Sequence, residues 1–193
     1  MEITTEVIKQ LRDKTGVSVM QCKKALEESK GDLAQAEVIL KKRAGASADK
    51  KADRELGAGA IGSYVHDGAI GAMVLLASET DFVAKNPEFG ALAREVAMQV
   101  AATDPKYRTT EEIAPEAQAA AVAVFAKEVE GKPEAMKEQI LAGKLASYFK
   151  DQVLLEQPYI KDESKTIRDL LSEATQKFGE RIEISKFARF SAR

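Results

Sequence analysis

Two apolar segments joined by Asp67-Gly68 restrict the folds that this chain can adopt. Residues 60–66 and 70–76 each have the length of a strand, and an Asp-Gly pair favours the tight turn of an antiparallel hairpin. The second segment is apolar at almost every position, which is typical of a strand that is central in a sheet or covered on both faces. The sequence therefore predicts a hairpin whose second strand lies inside a small sheet.

Three helical patterns, separated by glycines, occupy residues 1–45. Each has apolar residues at helical spacing, and each begins at a residue that commonly caps helices. The predicted boundaries are a cap at Thr4 or Thr5 with a stop at Gly16, a capping box of Ser18 and Gln21 with a stop at Gly31, and a cap at Asp32. Helices this short predict a compact bundle, whose size suits a module that docks on another protein.

The second of these helices carries a candidate contact residue. Val19, Cys22 and Leu26 share one stripe, which predicts a buried face. Met20 lies about 100° from that stripe, so it is expected at the edge of the bundle. There it either contacts another protein, with Lys23 in a charged rim, or fills a gap in the bundle, and both uses of methionine are common.

The remaining sequence predicts an α+β core that follows a linker. Residues 46–57 are small and polar and predict a partly helical linker, and residues 58–193 form the core. Within it, residues 109–152 predict two amphipathic helices in an antiparallel hairpin, which packs on the sheet, protrudes or mediates self-association. Further expected boundaries are a start at Thr109 with Glu112, an interruption at Pro115, a stop at Gly131, a second start at Pro133, a last helix from Thr166 to Gly179, and a last strand over 181–190 with a bulge before Phe187.

The segment Thr80-Asp81-Phe82-Val83 stands where the strand pattern gives way to a helix pattern. Asn86-Pro87 starts that helix as cap and first residue, so the segment lies in a connector or a single capped turn. Connectors on a rigid scaffold often carry function. Local chemistry leaves two alternatives, namely that Phe82 folds into the core beside a capping Asp81, or that Phe82 stays exposed as a contact residue.

Composition excludes several classes of function. The 29 Lys and Arg residues against 31 Asp and Glu give a formal net charge of −2, which argues against direct binding of nucleic acid. No apolar run approaches the roughly 20 residues of a membrane span, and the first residues lack the pattern of a signal peptide, so a cytoplasmic location is expected.

Catalytic and metal-binding chemistry has few candidate residues. Cys22 and His66 are the only residues of their types, so a disulfide framework is excluded, and neither a metal site nor a cofactor is expected. A metal-assisted hydrolase would have to use Glu79, Asp81 and His66, which lack an obvious further ligand. The sequence therefore gives little support to a metal-assisted hydrolase.

Two further motifs carry a resemblance to a known family. One consists of residues 11–16, Cys22-Lys23-Lys24-Ala25-Leu26 and Gly31-Asp32, and the other is Glu79-Thr80-Asp81-Phe82-Val83-Ala84-Lys85-Asn86. With residues 154–158 and 187–190, they make nearly the whole chain resemble the short bacterial form of the elongation factor Ts family. Members of that family are guanine-nucleotide exchange factors of elongation factor Tu.

The resemblance implies a mechanism and its residues. The N-terminal bundle would be a ubiquitin-associated-like module that docks on GDP-bound or nucleotide-free Tu, while the core disturbs the partner's Mg²⁺ and phosphate site so that GDP leaves and GTP rebinds. The implied residues are Thr80, Asp81, Phe82 and Val83 for exchange, and Val19, Met20 and Lys23 for docking. The short form and the helical hairpin also imply a homodimer or a two-plus-two complex with Tu.

The chain departs from the family pattern at two places. Leu75 and Ala77 occupy strand positions where polar residues are expected, and Ser191-Ala192-Arg193 replaces an acidic, glycine-containing tail. These departures concern the strand and the C-terminus, and they leave the Asp-Phe pair intact. A second hypothesis is an adaptor that binds protein through the three-helix module and lacks exchange activity.

Overall fold

A three-stranded antiparallel sheet, with helices packed on one of its faces, forms the centre of the α+β core. The computed structural model describes residues 3–130 and 133–192. In chain order the elements are α1 (Thr5–Thr15), α2 (Val19–Glu28), α3 (Leu33–Asp49), β1 (Ala58–His66), β2 (Ile70–Ser78), α4 (Asp81–Ala84), α5 (Pro87–Thr103), α6 (Pro115–Val129), α7 (Glu134–Lys150), β3 (Pro158–Tyr159), β4 (Asp162–Thr166), α8 (Ile167–Phe178) and β5 (Ile182–Ser191), with 3₁₀ turns at Thr110–Glu112 and Leu154–Glu156. The α+β prediction is confirmed.

The predicted hairpin forms the first two strands of this sheet. The strand order is β1-β2-β5, so β2 is central as predicted. Asp67 and Gly68 take left-handed conformations with φ of 49° and 67°, which glycine adopts freely and aspartate tolerates. The Ala69 amide donates to the His66 carbonyl at 2.9 Å and closes the turn. This local chemistry sets the register of the two strands.

Helix α5 covers the inner face of the sheet. Its predicted stripe of Phe89, Leu92, Val96 and Val100 is buried against Val74 and Leu76 of β2. The helix begins as predicted, because the Asn86 side chain accepts a hydrogen bond from the Glu88 amide at 2.9 Å. The approach to β1 is closest at Gly62, where a Cβ atom would lie 2.1 Å from the carbonyl carbon of Ala93.

The outer face of the sheet is not covered by the described part of the chain. Ile61 and Val65 of β1 are 65% and 66% exposed, and Phe190 of β5 is 71% exposed. Met73 and Leu75 lie between them on β2 and are also exposed. The sequence allowed β2 to be either central in the sheet or covered on both faces. Within the described chain β2 is central, and only its inner face is covered. Leu75, one of the departures from the family pattern, belongs to this face.

The last strand contains the predicted bulge. β5 pairs with β2 from Ile182 opposite Ser78 to Ser191 opposite Ile70, and the register shifts between Leu75 and Leu76. Ser185 is the extra residue, because Lys186 pairs with Leu75 and Ile184 with Leu76. The bulge thus lies just before Phe187, as predicted.

The N-terminal helices form a bundle with its own small core. Leu11, Cys22, Leu26 and Leu40 are buried there, and the predicted caps Thr4, Ser18 and Asp32 each accept a backbone hydrogen bond at the start of a helix. Three predictions need correction. The first concerns Val19, which is 51% exposed and does not share the buried face of Cys22 and Leu26.

The other two corrections concern the start and the end of α2. The Gln21 side chain accepts a hydrogen bond from Gln176 of α8, and no bond from Gln21 back to the Ser18 amide completes a capping box in the described chain. α2 ends at Glu28, before the predicted Gly31. α3 continues to Asp49, so the first residues of the predicted linker are helical.

Helices α6 and α7 form the predicted antiparallel hairpin. Phe125 and Tyr148 have ring centroids 5.6 Å apart, and Lys144 pairs with Glu128 at 2.5 Å. A small cluster at the base, which includes Phe149 and Val153, attaches the hairpin to the core, and most side chains farther along are exposed. Of the structural placements considered, the hairpin therefore protrudes.

The start of the hairpin differs from the sequence prediction. Glu112 accepts hydrogen bonds from Arg108 and does not complete a cap with Thr109. Pro115 is the first residue of α6, where its fixed φ suits a helix, and does not interrupt a helix. The predicted stop at Gly131 lies outside the described residues.

A buried pair of glutamines connects α5 to the segment that follows the hairpin. Gln99 and Gln157 are almost fully buried, and the Gln99 Nε2 atom donates to the Gln157 Oε1 atom at 3.1 Å. Thr103 donates to the same oxygen at 2.7 Å, and the Ile160 amide donates to the Gln99 Oε1 atom at 2.9 Å. Because each partner satisfies the other, the pair avoids the cost of an unpaired buried amide.

The contact between Gly62 and α5 predicts a large loss of stability on a very small substitution. Gly62→Ala should lower the free energy of unfolding by about 3 kcal/mol, because the new methyl group overlaps backbone atoms of α5 and the helix has to move. Urea unfolding followed by circular dichroism measures this. Gly71→Ala on the neighbouring strand is the control, because its nearest neighbour is the Val65 side chain at 3.8 Å. Equal effects of the two substitutions would contradict the packing described.

Candidate functional site

The segment predicted as a connector or a single capped turn is the short helix α4, which lacks a side-chain capping bond from Thr80. Thr80 is extended, with φ of −124° and ψ of 157°, and one helical turn follows before Asn86 caps α5. Val83 is buried in the main core and anchors the turn to it. The turn is therefore held between the end of β2 and the start of α5, as the sequence predicted.

Phe82 projects from this turn into solvent. Its side chain is 83% exposed, the largest fraction among the large apolar residues that the structure describes. Leaving a phenylalanine exposed forgoes about 1.5–3 kcal/mol of burial energy. Of the two alternatives for Phe82, the buried one is wrong, and the exposed one suits a contact that another molecule completes.

Asp81 places a negative charge beside the exposed ring. Its Oδ2 atom accepts a hydrogen bond from the Lys85 Nζ atom at 2.6 Å, and both side chains are exposed. Lys85 lowers the pKa of the Asp81 carboxyl below its usual value, so this group is ionised at neutral pH. The turn therefore presents a carboxylate and an aromatic ring side by side.

Thr80 is held by a residue from the other end of the core. The Thr80 amide donates to the Glu180 Oε2 atom at 3.0 Å, and the Thr80 hydroxyl donates to the Oε1 atom at 2.6 Å. The hydroxyl makes no capping bond to α4. Bonds to a carboxylate are stronger than those between neutral groups, so this contact fixes the start of the turn.

Glu79 is held in a similar way. Its carboxylate accepts a bond from the Arg181 amide at 2.6 Å and one from the Arg54 Nη1 atom at 3.1 Å. The Arg181 amide, with help from Arg54, lowers the pKa of the Glu79 carboxyl below its usual value. Glu79 therefore serves as an acceptor that connects β2, β5 and the linker.

The structure does not assemble the metal-assisted hydrolase that was considered from the sequence. Glu79 is occupied by Arg181 and Arg54, and Asp81 is paired with Lys85. His66 lies at the opposite end of β2, about 25 Å away for a strand of this length. Among residues 3–130 and 133–192, no group of three His, Cys, Asp or Glu side chains is placed to hold a metal ion.

The three candidate docking residues lie together on the first turns of α2. Met20 is 68% exposed, and Val19 and Lys23 are exposed as well. Residues three and four apart are neighbours on a helix, so the three side chains form one surface, which we call the α2 surface. Met20 lies at the edge of the bundle, as the helical spacing predicted.

Helix α8 connects the α2 surface to the turn that carries Phe82. The Gln176 Nε2 atom donates to the Gln21 Oε1 atom at 3.0 Å, next to Met20 in sequence. Four residues later, Glu180 binds Thr80. The two candidate contact regions are thus attached to the same end of one helix.

Comparison with known proteins identifies the family. A family model described as Elongation factor TS matches residues 3–193. Elongation factor Ts of Thermodesulfovibrio yellowstonii is 46% identical over 191 residues, covering 98% of this chain and 96% of that protein. The same factor of Thermotoga neapolitana is 44% identical over 191 residues, covering 98% and 97%, and that of Coprothermobacter proteolyticus is 42% identical over 194 residues, covering 99% and 98%.

The chain belongs to the elongation factor Ts family. It is therefore a translation elongation factor, and the resemblance seen in the two sequence motifs is confirmed. Within the part of the chain that the structure describes, no helix has the length and apolar character needed to cross a membrane.

Sequence reasoning missed the residues that hold Glu79 and Thr80 at the start of this turn. Glu180 and Arg181 follow Thr80 and Glu79 by about a hundred positions, and an acidic and a basic residue after a helix stop have no specific pattern. Only the pairing of Ser78 with Ile182 brings them together. The sequence did predict a strand over residues 181–190, but the pattern did not indicate which strand it pairs with.

The pairing of Asp81 with Lys85 predicts a pKa change on substitution. Lys85→Met should raise the pKa of the Asp81 carboxyl towards its usual value, because both the hydrogen bond and the positive charge are lost. Titration of the side-chain carboxyl carbon by NMR measures this. Because the folded-state pKa is lowered, the stabilisation from the pair is present above the unfolded pKa and is lost as the pH falls through the folded value. Lys85→Arg should keep the low pKa, and an unchanged midpoint in Lys85→Met would contradict the pairing.

Proposed function

We propose that this chain is a guanine-nucleotide exchange factor that binds GDP-bound elongation factor Tu and promotes release of GDP. The observation that carries the proposal is the exposed Phe82 beside the ionised Asp81, on a turn held at Thr80 and Glu79. A protein that changes the affinity of a partner needs a rigid contact of this kind and no catalytic group of its own.

Phe82 would act as a wedge. Its ring would enter between helices of Tu and shift elements that hold Mg²⁺ against the phosphates. Mg²⁺ requires near-octahedral oxygen ligands at about 2.0–2.1 Å, so a shift of about 1 Å removes much of their value. The nucleotide would then lose part of its hold without any covalent step, which makes the chain an exchange factor and not an enzyme.

Asp81 would add an electrostatic effect beside the wedge. An ionised carboxylate near the partner's Mg²⁺ and phosphate site repels the phosphates and competes for hydrogen-bond donors that hold them. The Lys85 ammonium keeps Asp81 ionised before contact. The aromatic ring and the carboxylate thus weaken the same binding site by different means, and Thr80 and Val83 hold both in place.

Linkage sets the energy that this mechanism requires. If the factor weakens GDP binding by a given ratio, GDP weakens binding of the factor by the same ratio. A ratio of 10⁴ corresponds to about 5.5 kcal/mol, which the contacts with nucleotide-free Tu must supply. The factor does not select GTP, so the nucleotide pool of the cytoplasm sets the direction of exchange.

The N-terminal bundle would supply most of the docking. The α2 surface of Val19, Met20 and Lys23 combines a flexible apolar side chain with a positive rim, which suits an adaptable protein interface. We propose that this bundle is the ubiquitin-associated-like module of the family and that it binds the nucleotide-binding domain of Tu. Neither nucleic acid nor a membrane is needed for this interaction.

We also propose that the chain forms a homodimer through the outer face of its sheet. This face presents Ile61, Val65, Met73, Leu75 and Phe190, and two sheets pack face to face when such residues interdigitate. A second copy offers an identical apolar surface, which a two-fold axis would place against this one.

The dimer leaves free the turn at residues 80–84, which we call the exchange turn. Val83 attaches α4 to the core on the inner side of the sheet, so Phe82 stays accessible when the outer face is covered. Each chain of the dimer would then bind one Tu molecule. The result is the two-plus-two complex expected from the family resemblance.

Release of labelled GDP from purified Tu tests the proposed function directly. Adding this protein to Tu carrying a fluorescent GDP, with an excess of unlabelled GDP, should raise the release rate to a saturating maximum. An adaptor without exchange activity would bind Tu and leave release at its intrinsic rate. Stopped-flow fluorescence together with a separate binding assay distinguishes the two functions.

The wedge and the docking surface should affect different parameters of this assay. Phe82→Ala should lower the maximal rate of GDP release about a hundredfold and leave the half-saturating concentration nearly unchanged, because the wedge acts after docking. Met20→Asp should raise the half-saturating concentration about tenfold and leave the maximal rate unchanged. Phe82→Leu should fall between wild type and Phe82→Ala. An unchanged maximal rate in Phe82→Ala would overturn the wedge.

The dimer interface is tested by two matched substitutions of exposed apolar residues. Ile61→Asp should convert the dimer into monomers, because each interface would bury two unpaired carboxylates. Val124→Asp should leave the dimer intact, because Val124 is similarly exposed but lies on the helical hairpin. Sedimentation velocity measures both. If Val124→Asp alone gave monomers, self-association through the hairpin would replace the proposed interface.

A further inference from the structure

The β2–β5 ladder continues beyond its last backbone pair through side chains. Ser78 and Ile182 form the last pair in the sheet. One step further, the Glu79 carboxylate accepts the Arg181 amide, and after that the Glu180 carboxylate accepts the Thr80 amide and hydroxyl. In an antiparallel register these are the residues that would face each other next. Two carboxylates therefore extend the sheet up to the first residue of the exchange turn.

The Glu180 carboxylate binds Thr80 through both of its oxygens. Among the residues that the structure describes, no Lys or Arg lies within ion-pair distance of the Glu180 carboxylate, and both of its oxygens bind Thr80. Gly179 ends α8 in the left-handed region, with φ of 76°, and directs the chain back towards β5. The position of Glu180 thus follows from a helix stop that few other residues could provide.

Thr80 does not act as a usual N-cap threonine. Such a residue commonly accepts a bond from the third residue of the helix, whereas the Thr80 hydroxyl makes no capping bond and donates to Glu180. The extended backbone of Thr80 is therefore fixed from outside the turn. Phe82 is two residues away and its ring is mostly exposed, so the backbone of the turn, which this anchor and the buried Val83 hold, sets the direction of the ring.

The same helix end also supports the α2 surface. Gln176, four residues before Glu180, donates to Gln21, the neighbour of Met20 in sequence. The Lys177 side chain lies against Gly16, where a Cβ atom would be 3.1 Å from its Cδ atom, and its Nζ atom is 3.2 Å from the Glu88 Oε1 atom. The end of α8 thus contacts the bundle, α5 and the exchange turn.

We propose that Glu180 is a positioning residue for exchange: acting through Thr80, it fixes the direction of Phe82, while Gln176 on the same helix end supports docking. The inference rests on the proposed exchange function. A wedge displaced by about 1 Å can lose a large part of its effect, so loss of the anchor should reduce the rate without reducing binding. Glu180 itself need not touch Tu.

The test measures the maximal rate of GDP release and the half-saturating concentration for four variants. Glu180→Ala should lower the maximal rate about tenfold, and Glu180→Gln should lower it less, because the amide retains one acceptor of the same shape. The half-saturating concentration should stay within about twofold of wild type for both. Gln176→Leu should raise that concentration a few fold and leave the maximal rate unchanged. Glu173→Gln on α8 is the matched control, because the Glu173 carboxylate pairs with Lys165, whereas that of Glu180 binds Thr80.

A double substitution tests whether Glu180 acts through Thr80. Thr80→Val keeps the size of the side chain and removes the hydroxyl. If Glu180 works through Thr80, the double variant Thr80→Val/Glu180→Ala should have the same maximal rate as Glu180→Ala alone. Multiplication of the two separate effects would overturn the proposal.

The outcomes separate this inference from the proposed function. If the wild-type chain does not accelerate GDP release, the exchange function itself fails. If wild type is active and Glu180→Ala reaches the same maximal rate of GDP release at saturating concentration, Glu180 is not a positioning residue. Glu180→Gln keeps the experiment decisive if Glu180→Ala does not fold, and thermal unfolding of each variant identifies that case.

Discussion

The pairing of β5 with β2 is the interaction on which the rest of this structure depends. It makes β2 the central strand, completes the face that α5 covers, and returns the chain from α8 to the middle of the sequence. Because Ser78 lies opposite Ile182, Glu79 and Thr80 meet Arg181 and Glu180. A long-range backbone pairing therefore shapes a short-range turn, and the exposed ring of that turn is the centre of the proposed exchange mechanism.

Elements whose causes are local could be predicted from the sequence. The Asp67-Gly68 turn, the buried stripe of α5 and the Thr166 cap each depend on residues within one or two turns of chain, and the structure contains all of them. The failures have the opposite character. Gln21 and Glu112 bind Gln176 and Arg108 in place of the caps that their spacing favoured, because a tertiary or neighbouring partner competes with a capping bond.

The exposure of the candidate residues Phe82 and Met20 could be predicted from the sequence, and the contacts that hold the turn of Phe82 could not. Local chemistry allowed Phe82 to be buried or exposed, and the family resemblance favoured exposure, which the structure shows. Glu180 could not be found, because a single acidic residue after a helix stop has no distinctive spacing relative to Thr80. Val19 was predicted wrongly because local spacing does not show which residues the rest of the bundle covers. Helical periodicity assigned Val19 to the buried stripe of Cys22 and Leu26, but Val19 is the first residue of α2 and remains 51% exposed.

β5 is the last strand of the described chain, so the ribosome synthesises it after every other element of the fold. Helices α1 to α3 can form their small core as soon as they leave the ribosome, since all of its members are close in sequence. The exchange turn cannot acquire its anchors until Glu180 and Arg181 have also emerged. A nascent chain would therefore have the proposed docking surface before it has an oriented Phe82, so in the proposed mechanism binding and exchange would mature at different times during synthesis of the chain.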